Sequence, residues 1–352
     1  MPAASSAPPG APLGAPPAYG GRDGDGWVRI TEDRAAVRDH PAVRAWGTLR
    51  PDAAAAVAAV DSLPRKRSTL AAIYRLPGVA GPRQAVIAKY WEAAAITVEQ
   101  RIYQEILPAA SVPALHCHGM VSEPDGEHAW LFLEEGCGDR CSLAAPEHQA
   151  LAAQWLARMH TATSELCRSS SAPSLPGLPE RGPARFLWHL QSVRDAIQGT
   201  LGCRTLDRTQ RSLLDHVLGH CDRIEAGWRT FERACERMPR NLVHGDYVAK
   251  NLRVARHGGG VALVVMDWEM AGWGPPAPDL HRVDLEAYRA TAAEHWRELT
   301  MAQVQEWARV GTVFRLLAET HWETQRLFWG GPVPALHRLE GYELALRNAA
   351  PA

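Results

Sequence analysis

No apolar run in this 352-residue chain approaches the roughly 18 to 20 residues needed to span a bilayer, so no membrane association is expected. Nor is there an excess of charge of one sign. The formal net charge of -1 argues against a nucleic-acid binder working through a strongly basic face. A signal peptide would need a basic start and an apolar core, and the amino terminus has neither, which reads as cytoplasmic. The seven cysteines, at 117, 137, 141, 167, 203, 221 and 235, are odd in number and scattered, which is not a disulfide framework. Cys137 and Cys141, and the run His116-Cys117-His118, lack the second pair of a zinc finger, and the thiols are read as reduced.

What is present is ordinary globular composition, 46% hydrophobic and 22% charged, on a chain long enough for two lobes. Residues 1–26 are rich in Pro, Ala, Gly and Ser, with few apolar side chains to offset the entropy of ordering, and form a disordered tail. Residues 27 to about 63 read as helical and alanine-rich, as in "DAAAAVAAVDSL". The period then changes. "TLAAIYRL" and "QAVIAKYW" are β-prone runs separated by "PGVAGPR", a hairpin signature. A helix follows in "AITVEQRIYQEIL", ended by Pro108 and Pro113. "HCHGMVSEP" and "HAWLFLEEG" are again strand-like, with a turn at Glu123–Gly126.

After Gly136 the apolar spacing is helical, for example Leu151, Trp155, Leu156 and Met159. One β-like island, residues 241–267, interrupts it. The expectation is an N-lobe at 27–135 and a helical C-lobe at 136–352 that carries the catalytic loop and the substrate pocket. Oligomeric state is open between monomer and homodimer.

The island holds the chemistry. "LVHGDYVAKNLRV" sets His, Gly, Asp, Lys and Asn between two strand-like pieces, where functional residues concentrate. Asp246 and Asn251 are five apart, and Asp267 stands sixteen residues after Asn251, at the end of "VALVVMD". Phosphoryl transfer needs a carboxylate to orient the attacking hydroxyl and accept its proton, and oxygen ligands for Mg2+. Asp246 is the natural base; Asn251 and Asp267 supply a neutral and an anionic oxygen.

"HGDYVAKN" followed by "VVMDWE" resembles the catalytic loop and metal segment of the aminoglycoside phosphotransferase / choline kinase family, a branch of the protein-kinase-like fold. The family pattern is met by His244, Gly245, Asp246, Asn251, Asp267 and Glu269, and "GWGPPAPDL" resembles its G-x-P-x-x-D-L stretch, with Asp279 in a structural role. The resemblance implies an α+β bilobal kinase-like fold, with a small β-rich N-lobe carrying one main helix and a larger, mostly helical C-lobe.

It also implies a strand lysine, Lys89 in "AVIAKYW", paired to a helix glutamate. Glu99 is favoured for that pair over Glu105. Backbone around Leu133, Glu134 and Glu135 would meet adenine. Ser68 and Thr69 would offer donors to phosphate, although Arg65, Lys66 and Arg67 stand where the family usually has glycine or serine. Glu269 would join the metal ligands, and Trp273, Asp284 and Glu286 are candidates for substrate contact. Lys250 stays open between solvent and the γ-phosphate.

The function implied is transfer of the γ-phosphoryl of ATP, or GTP, with Mg2+, to a hydroxyl of a small molecule. An aminoglycoside or related natural product is favoured as acceptor. The alternatives are a kinase of a choline-, homoserine- or sugar-like metabolite, and a nucleotide-binding pseudokinase scaffold.

Overall fold

The computed structural model describes residues 26–63, 71–79, 81–168, 177–203, 206–257, 260–329 and 332–349. Arg65, Lys66, Arg67, Ser68 and Thr69, and nearly all of the amino-terminal tail, lie outside them. The fold is α+β, with an antiparallel sheet in the first part and a mostly helical second part.

The first part runs β1 (Val28–Thr31), α1 (Arg34–Asp39), α2 (Pro41–Leu49), α3 (Pro51–Ala54), β2 (Val60–Ser62), β3 (Ala72–Gly78) and β4 (Gly81–Glu92). Helix α4 (Ala93–Arg101) passes through a π turn, Ile102–Ile106, into α5 (Leu107–Ala109), and β5 (Cys117–Ser122) and β6 (His128–Glu134) complete the sheet. Its order is β1-β2-β3-β4-β6-β5. Lys89 on central β4 is paired between Ile73 of β3 and Leu131 of β6.

Two sequence expectations need correction here. "DAAAAVAAVDSL" is not one helix: it stops at Ala54, and Val60–Ser62 forms β2 between β1 and β3. Burial outweighs alanine's helix propensity, because Val57 and Val60 fill a small core with Trp46, Leu76 and Phe132. Second, the expected hairpin forms, but its strands run well into "PGVAGPR". β3 extends through Gly78 and β4 begins at Gly81. Gly78 makes that tight turn at φ +92°, where a Cβ would lie 2.7 Å from the Ala56 carbonyl oxygen.

The second part continues with β7 (Asp139–Arg140), α6 (Pro146–Arg168), α7 (Pro183–Cys203), α8 (Arg208–Ala226) and α9 (Trp228–Glu236). Then come β8 (Asn241–Val243), β9 (Leu252–His257), β10 (Gly260–Val265), β11 (Gly272–Gly274), α10 (Leu285–Ala292), α11 (Met301–Trp329) and α12 (Pro332–Ala349). The island between the helices is thus two small antiparallel sheets, β10-β9-β7 and β11-β8. α7 packs on α11 through Phe186 and Phe314, whose rings stack with centroids 4.2 Å apart. Among the described residues no helix is long and apolar enough to cross a membrane.

Candidate active site

Lys89 is a cation that burial should disfavour, and three carboxylates hold it charged. Its Nζ donates to Glu99 Oε2 at 2.9 Å and Asp267 Oδ1 at 2.6 Å, and lies 3.2 Å from Glu269 Oε2. Burial alone would lower the ammonium's pKa; these neighbours carry it well above the ordinary value. Glu99 is pushed upward by its own burial, against the pull of Lys89. Its second oxygen accepts from the Trp268 backbone N–H at 3.3 Å, which ties helix α4 to the segment after β10. Of the two glutamates offered by the sequence, Glu99 therefore meets Lys89, while Glu105 pairs with Arg101 at the surface.

The loop between β8 and β9 is fixed from behind by Asp279. Its oxygens accept from the backbone N–H of His244 at 2.6 Å and of Gly245 at 2.8 Å, and it is fully buried beside His160. Gly245 has φ +78°, and a Cβ there would run into the Met270 carbonyl, so only glycine lets the two segments approach this closely. His244 Nδ1 accepts from the Asp246 N–H at 3.3 Å, so Nε2 carries the proton and donates to the Met266 carbonyl at 3.0 Å. Burial keeps this imidazole neutral, pushing its pKa below the ordinary value despite nearby carboxylates. It locks the loop to the Asp267 segment, with both ring nitrogens engaged.

Asp246 sits at the loop's tip, 6% exposed. Asn251 Nδ2 donates to the Asp246 carbonyl at 2.9 Å and to its Oδ2 at 3.1 Å, which leaves Asn251 Oδ1 as an acceptor. Lys250 lies 2.8 Å from the same Oδ2. The other carboxylate oxygen, Oδ1, accepts from Arg315 Nη1 at 2.7 Å. Burial would raise the Asp246 pKa, but Lys250 and Arg315 outweigh it and hold the carboxyl below the usual carboxylate range. A carboxylate has about four acceptor directions. Three are taken, which leaves room for one incoming hydroxyl.

Arg315 was not foreseen. It lies on α11, in the carboxy-terminal stretch that carries no motif. The available signal was a lone arginine inside the apolar run "TVFRLLA", flanked by the buried Phe314, Leu316 and Leu317. Glu319 and the Trp322 ring, 5.2 Å from the guanidinium carbon, hold it in place.

Asp267 adopts φ +69°, a left-handed conformation uncommon for residues with a Cβ, though aspartate takes it more readily than most. It is partly exposed, as is Glu269. Burial would raise the Asp267 pKa; Lys89 prevails and lowers it. Asp267, Glu269 and Asn251 Oδ1 make an all-oxygen donor set with two carboxylates. This fits Mg2+, which takes one or two carboxylates and completes its shell with water and phosphate.

The remaining candidates divide. The backbone N–H groups of Glu134 and Glu135 already donate to the carbonyls of His116 and Ala85, and the Glu135 side chain is turned onto Arg75. Leu133 is buried in the same strand. Trp273 is half-buried and joins β11 to Pro179 and Arg181 by backbone hydrogen bonds. Asp284 caps α10, accepting from the Glu286 and Ala287 N–H groups. That employs its carboxylate structurally, and Glu286 is exposed in the first turn of the same helix. Trp268 is fully buried core.

Among solved structures, the GDP complex of a variant of aminoglycoside 2'-phosphotransferase-IIIa superposes with TM-score 0.61 at 14% identity, covering 88% of this chain and 98% of that one. The complex of aminoglycoside phosphotransferase (2")-IIIa with GDP and kanamycin gives 0.59 at 13%, over 86% and 97%. An ethanolamine kinase of Plasmodium vivax gives 0.53 at 13%, over 87% of each. At these identities the likeness is one of fold. No curated protein sequence matches the chain. The family model described as the phosphotransferase enzyme family matches residues 20–311, more than four-fifths of the length, and the chain belongs to that family.

Proposed function

We propose that the protein transfers the γ-phosphoryl group of ATP or GTP to a hydroxyl of a small molecule. The observation that carries this reading is the Asp246 carboxylate, buried, ionised and held by three donors with one acceptor direction left over. The acceptor oxygen bonds to the γ-phosphorus as the bond to the β-bridging oxygen breaks. Asp246 takes the hydroxyl proton, giving a phosphate monoester, a nucleoside diphosphate and a proton. Lys89, fixed by Glu99, binds the α- and β-phosphates. Asn251, Asp267 and Glu269 would hold Mg2+, which when bound neutralises charge on the triphosphate. Most of the rate then comes from positioning and charge stabilisation, with about 10²–10⁴ from proton transfer to Asp246.

The pseudokinase alternative is disfavoured, because Lys89, Asp246, Asn251 and Asp267 are all present, Lys89 bonded to Asp267 and Asn251 to Asp246. GTP stays beside ATP because two of the relatives are described as GDP complexes. A natural-product acceptor is supported by the relative crystallised with kanamycin; the charge of the acceptor is a separate question, taken up below. The test is Mg2+-dependent release of nucleoside diphosphate with a hydroxyl acceptor, compared between wild type and Asp246→Asn. Turnover that disappears in the variant is the expected result. Equal slow rates in both would sink the catalytic reading.

A further inference from the structure

On the side of Arg315, helices α7 and α11 bring together two arginines and two neutral imidazoles that nothing in the phosphotransferase reading uses. Arg181, just before α7, donates from Nε to the Met270 carbonyl at 2.7 Å, the same carbonyl that Gly245 approaches on the catalytic loop. One turn further, the Arg185 guanidinium lies 4.5 Å over the Trp188 ring. His189 and His321 face each other across the helix pair, with ring centroids 4.7 Å apart, and Trp188 stands 5.0 Å from His321. His321 follows Arg315 by under two turns, beside the Trp322 ring on which Arg315 rests. The group is therefore bounded by Arg315, which touches Asp246 on the catalytic loop, and by Arg181, which touches Met270 on the segment after β10.

Among the described residues neither Arg181 nor Arg185 has a carboxylate partner. Carboxylates nearby are occupied elsewhere: Glu319 by Arg315, Glu323 by Arg326 and Arg338, and Glu180 by Arg240. Both arginines are half-buried, and cations drawn partly out of water are normally paired. Burial, then Arg185, pushes Arg181 down to about 10, and burial alone lowers Arg185, as expected for guanidinium groups without an anion.

Three polar atoms here are also buried without any hydrogen-bond partner: Arg185 Nε, His189 Nδ1 and His321 Nδ1. His189 is 2% exposed and His321 9%. Burial and the neighbouring cations push His189 down to about 3, and burial and Arg185 push His321 down to about 4, so both rings are neutral. Unpartnered buried polar atoms of this kind are rare and call for a ligand. Trp188, by contrast, is 46% exposed, so the group opens to solvent along its edge.

We propose that this face is an oxyanion subsite of the acceptor pocket, and that the acceptor is a hydroxylated small molecule bearing a carboxylate or phosphate, engaged by Arg181 and Arg185. A guanidinium already stacked on indole loses little freedom on binding such a group. A polycationic aminoglycoside would place like charges here, so the natural-product class is retained and the polycation is not. The inference rests on the phosphotransferase reading for the meaning of the hydroxyl, though not for the anion itself.

The probes are glucuronate, glucose 6-phosphate, glucose and glucosamine, similar in size and differing in charge, with kanamycin as the polycation. Two measurements separate the two readings. In the first, thermal unfolding is followed at constant ionic strength. Glucuronate or glucose 6-phosphate raises the melting temperature of the wild type above chloride alone, while glucose and glucosamine do not. The gain is lost in Arg185→Gln and partly kept in Arg185→Lys, and which anion protects better identifies the acidic group. In the second, phosphate transfer is measured. The anionic sugars have the higher kcat/KM, and Arg185→Gln raises their KM on the order of 10- to 100-fold with a smaller effect on kcat.

Protection by neither anion, or a preference for glucosamine or kanamycin in either measurement, overturns the oxyanion subsite even if transfer is robust. Anion protection without transfer to any acceptor leaves the subsite standing and removes the kinase reading instead.

Discussion

Arg315 should set the acid limb of the rate profile. Its guanidinium lies 2.7 Å from Asp246 Oδ1, with both side chains largely buried, at 11% and 8% exposure. Two unit charges about 4 Å apart attract by about 4 kcal/mol at an effective dielectric of 20. Desolvation of both groups reduces the net value to the ~1.5–3 kcal/mol measured for hydrogen bonds to charged groups. At ~1.36 kcal/mol per pH unit, removing the cation should raise the acid limb of kcat/KM by about one to two pH units. The sign follows from Asp246 being depressed in the folded protein. Its proton-accepting form is present above its pKa and lost as pH falls through it.

The perturbation is Arg315→Gln, which keeps a donor at similar reach, and Lys250 still accompanies the carboxylate, so Asp246 is not left unpaired. The assay is kcat/KM for the acceptor between pH 4 and 8, with nucleotide saturating. Arg315→Lys should bring the limb back most of the way, because it restores the charge without the fork. Glu319 loses its own partner in Arg315→Gln and turns to solvent, and Glu319→Gln alone should leave the limb near its wild-type position. A limb that stays fixed in Arg315→Gln, with the variant folded and binding nucleotide normally, would refute the claim that Arg315 tunes the base.

Four further outcomes are expected. Asp279→Ala strips the acceptor from two backbone N–H groups and from buried His160, and should cost about 3 kcal/mol in chemical denaturation, with loss of turnover. Gly245→Ala forces a side chain into left-handed backbone against the Met270 carbonyl; it should destabilise by about 1–3 kcal/mol and lower kcat more than it raises the nucleotide Kd. Lys89→Met leaves Glu99 buried with its pKa raised. Stability from that group is present at low pH and lost as pH rises through its folded pKa, so the variant should melt higher at pH 5 than at pH 8, opposite to what an ionised, paired Glu99 would give. Of the 38 basic residues only three are lysines, at 66, 89 and 250, so Lys250 is an uncommon choice for a chain that uses arginine elsewhere. If its compact ammonium meets the γ-phosphate, Lys250→Met should lower kcat on the order of 10² with little change in the melting temperature; an unchanged kcat would leave it only its ion pair with Asp246.

Residues acting through local spacing could be found from the sequence, and residues acting through tertiary approach could not. His244 to Asn251 and Asp267 to Glu269 lie on either side of one hairpin, so short intervals already bring their side chains together, and the structure adds only the hydrogen-bond directions. Lys89 and Glu99 were within reach for the same reason, a strand running directly into a helix. The carboxy-terminal helix offered no such interval. Arg315 is 69 residues from Asp246, and what brings it there is the packing of α11 on α7, decided by Phe186, Phe314 and their neighbours, which read only as apolar periodicity. Asp284 shows what spacing alone leaves out: an aspartate directly before a helix can cap it, and its carboxylate accepts from the Glu286 and Ala287 N–H groups, a role the D-L signature does not announce. The misread alanine run has a third cause. Helix propensity favours alanine by tenths of a kcal/mol per residue, whereas burying Val57 and Val60 beneath a sheet is worth about 1.5–3 kcal/mol each, so a register that buries two valines wins over one that extends a helix.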